Sequence, residues 1–91
     1  MSNTVYYRKE DIVVAAMDGD TVMMDILTGK YYRFNKTSGD ILKIIEKPHT
    51  LDGIIDELME IYDVERSSCE KQTKAFLDSL INAGIVFKKE K

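Results

Sequence analysis

Cysteine, histidine, proline and tryptophan are scarce in this chain of 91 residues, which has one of each of the first three and no tryptophan. The single cysteine, Cys69, has no partner for a disulfide within the chain. The single histidine, His49, is too few for the usual zinc site built from protein side chains. We therefore expect a reducing compartment, no structural disulfide and no metal centre.

Long apolar runs are also missing. No stretch approaches the roughly 20 residues that are needed to cross a bilayer, and the N-terminus lacks the continuous apolar region of a signal peptide. The net charge of -3 argues against a protein that binds a phosphate backbone, because such proteins carry a basic stripe. The sequence predicts a cytoplasmic protein whose partners include neither a membrane nor a nucleic acid.

The common catalytic motifs are missing as well. The chain has no glycine-rich phosphate loop, no Cys-x-x-Cys pair, and no serine with a plausible histidine and aspartate relay. Four carboxylates are expected on the solvated face of a helix, where nothing predicts a pocket that would perturb their pKa values; they are Asp52, Asp56, Glu57 and Glu60. Cys69 is expected to be a small buried hydrophobic residue rather than a reactive thiolate. We expect a protein that is not an enzyme and needs no cofactor.

The composition is typical of one small folded domain. Hydrophobic residues make up 44% of the chain and charged residues 32%, as in soluble globular proteins. A chain of this length buries only about two-thirds of its unfolded surface, so we expect no second domain. We predict a single domain over residues 1-91 with an ordered core at about 5-87, in which Tyr6 and Tyr7 dock on the body of the fold.

Three strand patterns follow one another in the N-terminal part, separated by tight-turn signals at Asp18-Gly19 and Thr28-Gly29. The strands run from Ile12 to Met17, from Thr21 to Leu27 and from Tyr31 to Phe34. Because the connections are so short, consecutive strands are expected to pair antiparallel. The sequence therefore predicts a three-stranded meander.

Side-chain alternation predicts which faces of these strands are buried. In the second strand, the charge of Asp25 indicates that its own face is the more solvated one. In the third strand, Tyr32 and Phe34 are expected to face the core. The other face of that strand carries Tyr31 and Arg33.

Helix patterns follow the strands. Asn35 can cap a first helix from about Lys36 to Lys47, which Pro48 stops. Apolar residues at helical spacing predict a second helix from about Leu51 to Tyr62. Three strands followed by helices predict an α+β fold.

The third helix has defined ends and a wide apolar face. The capping box Ser67-Ser68-Cys69-Glu70 starts it, and it runs to about Ala83, before Gly84. Its apolar stripe is wider than one packing contact needs, because Leu77 and Ile81 extend it on one flank. These two residues suit either the core or a binding cleft.

One series of residues carries a family resemblance. The chain reads Asp25, then Thr28-Gly29-Lys30-Tyr31-Tyr32-Arg33-Phe34-Asn35, then Thr37-Ser38-Gly39-Asp40-Ile41-Leu42. With Leu58 to Val64, Phe76 to Leu80, Gly84 and Ile85, this order and spacing resembles the PqqD-like family, whose domain is also called the RiPP recognition element. RiPPs are ribosomally made, post-translationally modified peptides. Leu42 departs from the pattern, since many relatives carry tryptophan there, and the difference concerns core packing.

The resemblance implies a winged-helix-like fold with a three-stranded antiparallel sheet followed by three helices. It also implies a non-catalytic protein that holds the leader segment of a precursor peptide and delivers it to a separate modifying enzyme or leader protease. The family's site is the cleft between the third strand and the third helix, where the leader adds as a further strand. A lasso-peptide pathway is favoured, with a pyrroloquinoline-quinone-type or other RiPP pathway as the alternative.

On this chain the implied peptide-binding cleft comprises Tyr31, Tyr32, Arg33, Phe34, Lys74, Leu77, Asp78 and Ile81. An extended peptide can satisfy the unpaired amides and carbonyls of an edge strand, while side-chain pockets provide selectivity. Lys74 can pair with an acidic leader residue. Arg33 suits either a leader contact or protection of the edge strand.

Two other functions fit the same order of elements. A winged-helix DNA-binding regulator needs basic residues concentrated on one exposed helix face, whereas the third helix carries Glu70 beside Lys71. A homodimer through the edge strand Tyr31 to Phe34 would use the same surface as the leader. Dimerisation would then compete with leader binding.

Overall fold

The structure is a computed structural model that describes residues 4–90. Its strands are β1 (Thr4–Arg8), β2 (Ile12–Met17), β3 (Asp20–Asp25), β4 (Tyr31–Phe34), β5 (His49–Thr50) and β6 (Val86–Glu90). Its helices are α1 (Lys36–Ile44), α2 (Leu51–Ile61) and α3 (Arg66–Asn82). The expected ordered core at 5-87 lies within the described range, and residues 1–3 and 91 of the predicted domain lie outside it.

The predicted meander is a sheet in the order β2-β3-β4. All neighbours pair antiparallel, and Met23 of β3 lies opposite Tyr32 of β4. The turn between β2 and β3 has positive φ at both Asp18 (51°) and Gly19 (86°), as in the turns that match the twist of a hairpin. The α+β fold with an antiparallel sheet and three helices is confirmed.

A second sheet, in the order β5-β1-β6, extends this prediction. β1 lies in the middle, where Tyr6 pairs with His49 on one side and with Lys88 on the other. Of the two tyrosines expected to dock on the fold, Tyr6 is buried in the core with its neighbour Val5, whereas Tyr7 is half-buried and packs on Phe87 of β6. The partners of β1 are remote in the chain, and local sequence patterns therefore do not indicate the pairing.

The core lies between the sheets and the helices. Helix α1 packs closely on β3 at Gly39, where an added Cβ would lie 1.7 Å from Oγ1 of Thr21. The largest fully buried side chains are Met23, Leu42, Ile45, Ile54, Ile55, Leu58, Leu77, Ile85 and Val86. Tyr32 and Phe34 pack against this core, as predicted.

The face assignment of β3 was wrong. Asp25 is only 5% exposed, on the same side of the strand as the buried Thr21 and Met23. Lys9 Nζ donates a hydrogen bond of 2.8 Å to Asp25 Oδ2, and the amides of Leu27 and Thr28 donate to Oδ1 at 3.0 and 3.3 Å. The carboxylate is tolerated in a buried position because it is paired and hydrogen-bonded.

Helix ends agree with the prediction in two places and differ in a third. The Ser38 amide donates to Oδ1 of Asn35 at 2.9 Å, which confirms the cap of α1. Gly84 has a φ of 77°, and the amide after it donates to the carbonyl of Leu80, which ends α3 in a Schellman motif. The capping box Ser67-Ser68-Cys69-Glu70 is not formed, because α3 begins earlier, with Glu65 as N-cap residue and no side-chain cap.

Residues 4–90 contain no helix with the length and apolar character needed to span a membrane.

Candidate functional site

Strand β4 forms an edge of its sheet. Within residues 4–90 it pairs only with β3, so its other side has no strand partner. The Asp25 amide donates to the carbonyl of Lys30 at 2.9 Å, which makes Asp25 and Lys30 a hydrogen-bonded pair. Since such pairs alternate along an antiparallel ladder, the backbone groups of Tyr32 and Phe34 also point to β3. The amides and carbonyls of Tyr31 and Arg33 therefore point to the free edge.

An aromatic wall stands beside this edge. The rings of Tyr32 and Phe34 are nearly parallel, with centroids 6.3 Å apart and an interplanar angle of 6°. Phe34 meets Phe76 of α3 edge to face, with centroids 5.6 Å apart and an angle of 86°. All three side chains are half-buried, so they offer apolar surface to a group that lies between β4 and α3.

A pocket of about 280 Å³ continues the groove past the end of β4. It lies between the first turns of α1 and the N-terminal half of α3, and it is lined by Asn35, Thr37, Ser38, Ile41, Leu58, Tyr62, Val64, Ser68, Cys69, Gln72, Thr73 and Phe76. A cavity of about 150 Å³ holds a benzene molecule, so this pocket has room for one large apolar side chain. Asn35 and Phe76 join it to the aromatic wall.

A polar network adjoins the pocket at Tyr62, which is one of the residues that line it. The Tyr62 hydroxyl donates to Oδ2 of Asp40, and the Lys36 ammonium lies 3.4 Å from both groups. Lys36 also lies 5.3 Å from the centroid of the Tyr62 ring. The hydrogen bond with Tyr62 and the charge of Asp40 raise the pKa of Lys36.

The ion pair between Asp25 and Lys9 holds the turn that precedes β4. Because the hydrogen bond from Lys9 and the bonds from the Thr28 and Leu27 amides outweigh the effect of burial, the pKa of Asp25 lies below its usual value. The same carboxylate thus links the loop after β1 to the turn that begins β4.

The structure does not bring all predicted site residues together. Tyr31 to Phe34 form the edge strand, but Lys74 lies on the opposite flank of α3 from Phe76, beside Tyr6 and Leu51. Asp78 and Ile81 follow Lys74 at spacings of four and seven residues, so they share its flank. The Lys74 ammonium is 4.0 Å from the Asp78 carboxylate.

The structure shows where Leu77, Ile81 and Arg33 lie. Leu77 is 0% exposed and belongs to the core, and Ile81 is half-buried against the core. Arg33 forms an exposed ion pair with Asp20, with Nε and Oδ2 2.9 Å apart. Phe76 belongs to the residues that carry the family resemblance but was not predicted to line the site, although its aromatic side chain was an available signal.

Residues 4–90 contain no group of three or more histidine, cysteine, aspartate or glutamate side chains arranged to hold a metal ion.

Comparison with known proteins identifies the family. The model of the family described as coenzyme PQQ synthesis protein D (PqqD) matches residues 20–86, which run from β3 to the start of β6. The chain belongs to the PqqD family. The resemblance drawn from the residues around β4 is thereby confirmed.

Two solved structures share the fold of this PqqD-family chain. One is TbiB1 in complex with the TbiA(beta) leader peptide, with a TM-score of 0.75, 24% identity, and coverage of 88% of this chain and 93% of the other. The second is lasso peptide synthetase B1 complexed with the leader peptide, with a TM-score of 0.74, 27% identity, and coverage of 90% and 96%. A search of curated protein sequences finds no match.

Proposed function

We propose that this PqqD-family chain binds the leader segment of a ribosomally made precursor peptide and presents it to a separate modifying enzyme or leader protease of a lasso-peptide pathway. The leader adds as a strand to β4, beside α3. The observation that carries the proposal is the free edge of β4, which has an aromatic wall and a pocket on one side. The leader peptides bound to both structurally similar proteins support it.

Backbone pairing alone provides only part of the affinity. The free edge offers two amides and two carbonyls, from Tyr31 and Arg33. At about 0.5–1.5 kcal/mol each, four hydrogen bonds contribute about 2–6 kcal/mol. Micromolar binding requires about 8 kcal/mol, before the cost of ordering the peptide. Apolar side chains of the leader must therefore supply the rest and provide selectivity.

The groove beside β4 has the surfaces that such side chains need. Leader residues that lie opposite Tyr32 and Phe34 point towards Phe76, because side chains alternate along a strand. A side chain beyond the end of β4 enters the pocket, which has Lys36 near its rim. Lys36 is charged at neutral pH, so an acidic leader residue there can pair with it in competition with Asp40.

The first test is a calorimetric titration of the domain with the leader peptide encoded beside its gene and with a scrambled peptide of the same composition. We expect binding of the native leader alone. Binding of neither peptide by the folded domain would contradict leader recognition.

Amide hydrogen exchange tests the mode of binding. Leader addition to β4 should slow exchange of the Tyr31 and Arg33 amides, which point to the free edge. The amides of Tyr32 and Phe34 already bond to β3 and serve as internal controls. A bound leader that leaves Tyr31 and Arg33 unprotected would exclude strand addition while leaving leader binding intact.

A further inference from the structure

The face of the β2-β3-β4 sheet that points away from α1 has an apolar centre, with the charged residues Asp20 and Arg33 at one end. Strand register aligns its residues in two rows, which are Val13, Met24 and Tyr31, and Ala15, Val22 and Arg33. Val13 is 47% exposed, Met17 51% and Tyr31 71%. We call the surface formed by Val13, Ala15, Met17, Val22, Met24 and Tyr31 the outer face.

This outer face departs from the usual pattern of an antiparallel sheet. A sheet with one face on the core normally carries polar residues on the other. Here the ion pair between Asp20 and Arg33 lies at one end of the face, and the centre is aliphatic and aromatic. Helix α1 packs on the opposite side of β3, at Thr21. The centre of this sheet face therefore offers an exposed apolar surface on which a partner can pack.

The outer face is continuous with the proposed leader site because both use β4. Tyr31 and Arg33 direct their backbone groups to the free edge and their side chains to the outer face. In an added strand, leader residues opposite Tyr32 and Phe34 point to α3, whereas those opposite Tyr31 and Arg33 point to the outer face. A bound leader therefore widens the outer face by one strand, about 4.8 Å.

We infer that the outer face docks the enzyme that receives the leader, and that the outward side chains of the bound leader complete the docking surface. The inference rests on the proposed function. In this arrangement the two faces of the leader strand contact different proteins. The inward side chains contact this chain, and the outward side chains contact the enzyme. The enzyme accordingly binds the leader-loaded domain more tightly than the free domain.

The size of the outer face favours this occupant over a second copy of the chain. Three strands about 4.8 Å apart and five residues of about 3.3 Å each make a patch of roughly 14 by 17 Å. A stable interface buries about 800 Å² on each partner, which this patch does not reach alone. An enzyme that also contacts the leader and the rim of the sheet has access to a larger surface.

The test compares the wild-type domain with Val13→Lys/Met17→Lys, which places two charges on β2, the strand farthest from the leader. The probes are the leader peptide and the modifying enzyme or leader protease encoded beside this chain, each titrated separately and then together. We expect leader loading to raise the wild-type domain's affinity for the enzyme by about fivefold or more. The double variant should keep its leader affinity and lose about tenfold or more in affinity for the enzyme.

A matched control is Phe87→Lys, which changes a residue that is 43% exposed in the other sheet. It should leave both affinities unchanged, and Met17→Lys alone provides a milder form of the double variant. Unaltered enzyme binding by the outer-face variants, with leader binding intact, overturns this inference alone. If the wild-type domain is a dimer and the double variant is a monomer, the outer face serves self-association, and this result also overturns the inference. Failure of the wild-type domain to bind the leader overturns both proposals.

Discussion

Asp25 shows how one buried charge positions the edge strand. Its carboxylate receives hydrogen bonds from Lys9 and from the amides of Leu27 and Thr28, which form the turn that precedes β4. These bonds lower the pKa of Asp25 relative to its ordinary value of 3.8, so the ionised form stabilises the fold. The contribution is present in full above the ordinary pKa and is lost as the pH falls through the lower, folded-state value.

We therefore expect Asp25→Asn to reduce stability at pH 7 and to flatten the loss of stability as the pH falls below about 4, where the carboxylate is protonated more readily in the unfolded chain than in the folded one. Urea unfolding at pH 7 and at pH 3 measures both effects. The exposed Asp11 provides the control, since Asp11→Asn removes the same charge elsewhere. Equal pH dependence of the wild-type protein and Asp25→Asn would show that this carboxylate does not control acid stability.

Gly39 sets the distance between α1 and β3. Alanine is preferred to glycine in a helix by about 1 kcal/mol, but a Cβ here would lie 1.7 Å from the Thr21 side chain. Because overpacking costs about 1–3 kcal/mol, we expect Gly39→Ala to lower the free energy of unfolding despite its better helix propensity. Gly53→Ala is the control, since its closest contact would be 3.3 Å. Chemical denaturation distinguishes them, and a stabilised Gly39→Ala would disprove the close packing.

At the scale of the elements, α3 presents two flanks with different neighbours. Phe76 faces β4 and the pocket, whereas Lys74 faces β1 and the start of α2. We expect Phe76→Ala to weaken leader binding by about tenfold, or 1.4 kcal/mol, because it removes the aromatic contact with Phe34. Lys74→Ala, on the opposite flank, should leave leader affinity unchanged. Calorimetry measures both, and the reverse ranking would move the cleft to the Lys74 flank.

The flank of α3 illustrates what the sequence indicates and what it does not. The cap at Asn35 and the end at Gly84 depend on a few adjacent residues, so local patterns predict them correctly. The width of the apolar stripe on α3 also indicated that part of it could bind a partner as well as pack in the core. The helical periodicity of apolar residues does not show which flank of α3 faces β4. The assignment of Lys74 to the cleft therefore had no tertiary contact to support it.

The prediction of which face of β3 is buried was wrong for a related reason. The charge of Asp25 indicated a solvated face, but Asp25 is buried because it forms an ion pair with Lys9. Side-chain alternation cannot predict a partner that lies in another loop. The opposite face carries Val22 and Met24, whose apolar character suggested burial although they belong to the outer face. Local rules are expected to fail where a surface is kept apolar for binding.

At the scale of the whole molecule, β1 and the residue after it connect β6, α1 and the turn before β4, which are distant from one another in the sequence. It pairs with β6 at the other end of the described residues, and the amide of Lys9, just after it, donates to the carbonyl of Ile85 at 2.8 Å. The Arg8 guanidinium donates to the carbonyl of Leu42 at 2.8 Å, which ties the same segment to α1. Since Lys9 also holds Asp25, the second sheet is coupled to the turn that begins β4.

This connection predicts that the two sheets unfold together. Val86 of β6 is 0% exposed, and Val86→Ala should lower the free energy of unfolding by about 1–3 kcal/mol through the cavity it leaves. If unfolding is cooperative, the amides of β3 that exchange only by global unfolding should lose as much protection as those of β1, although β3 does not pair with β6. Native-state hydrogen exchange measures both sets, with Lys88→Ala as the control at an exposed position of the same strand. Loss of protection confined to β1 and β6 would mean that the β2-β3-β4 sheet folds independently, and that the ion pair between Lys9 and Asp25 does not transmit stability to β4.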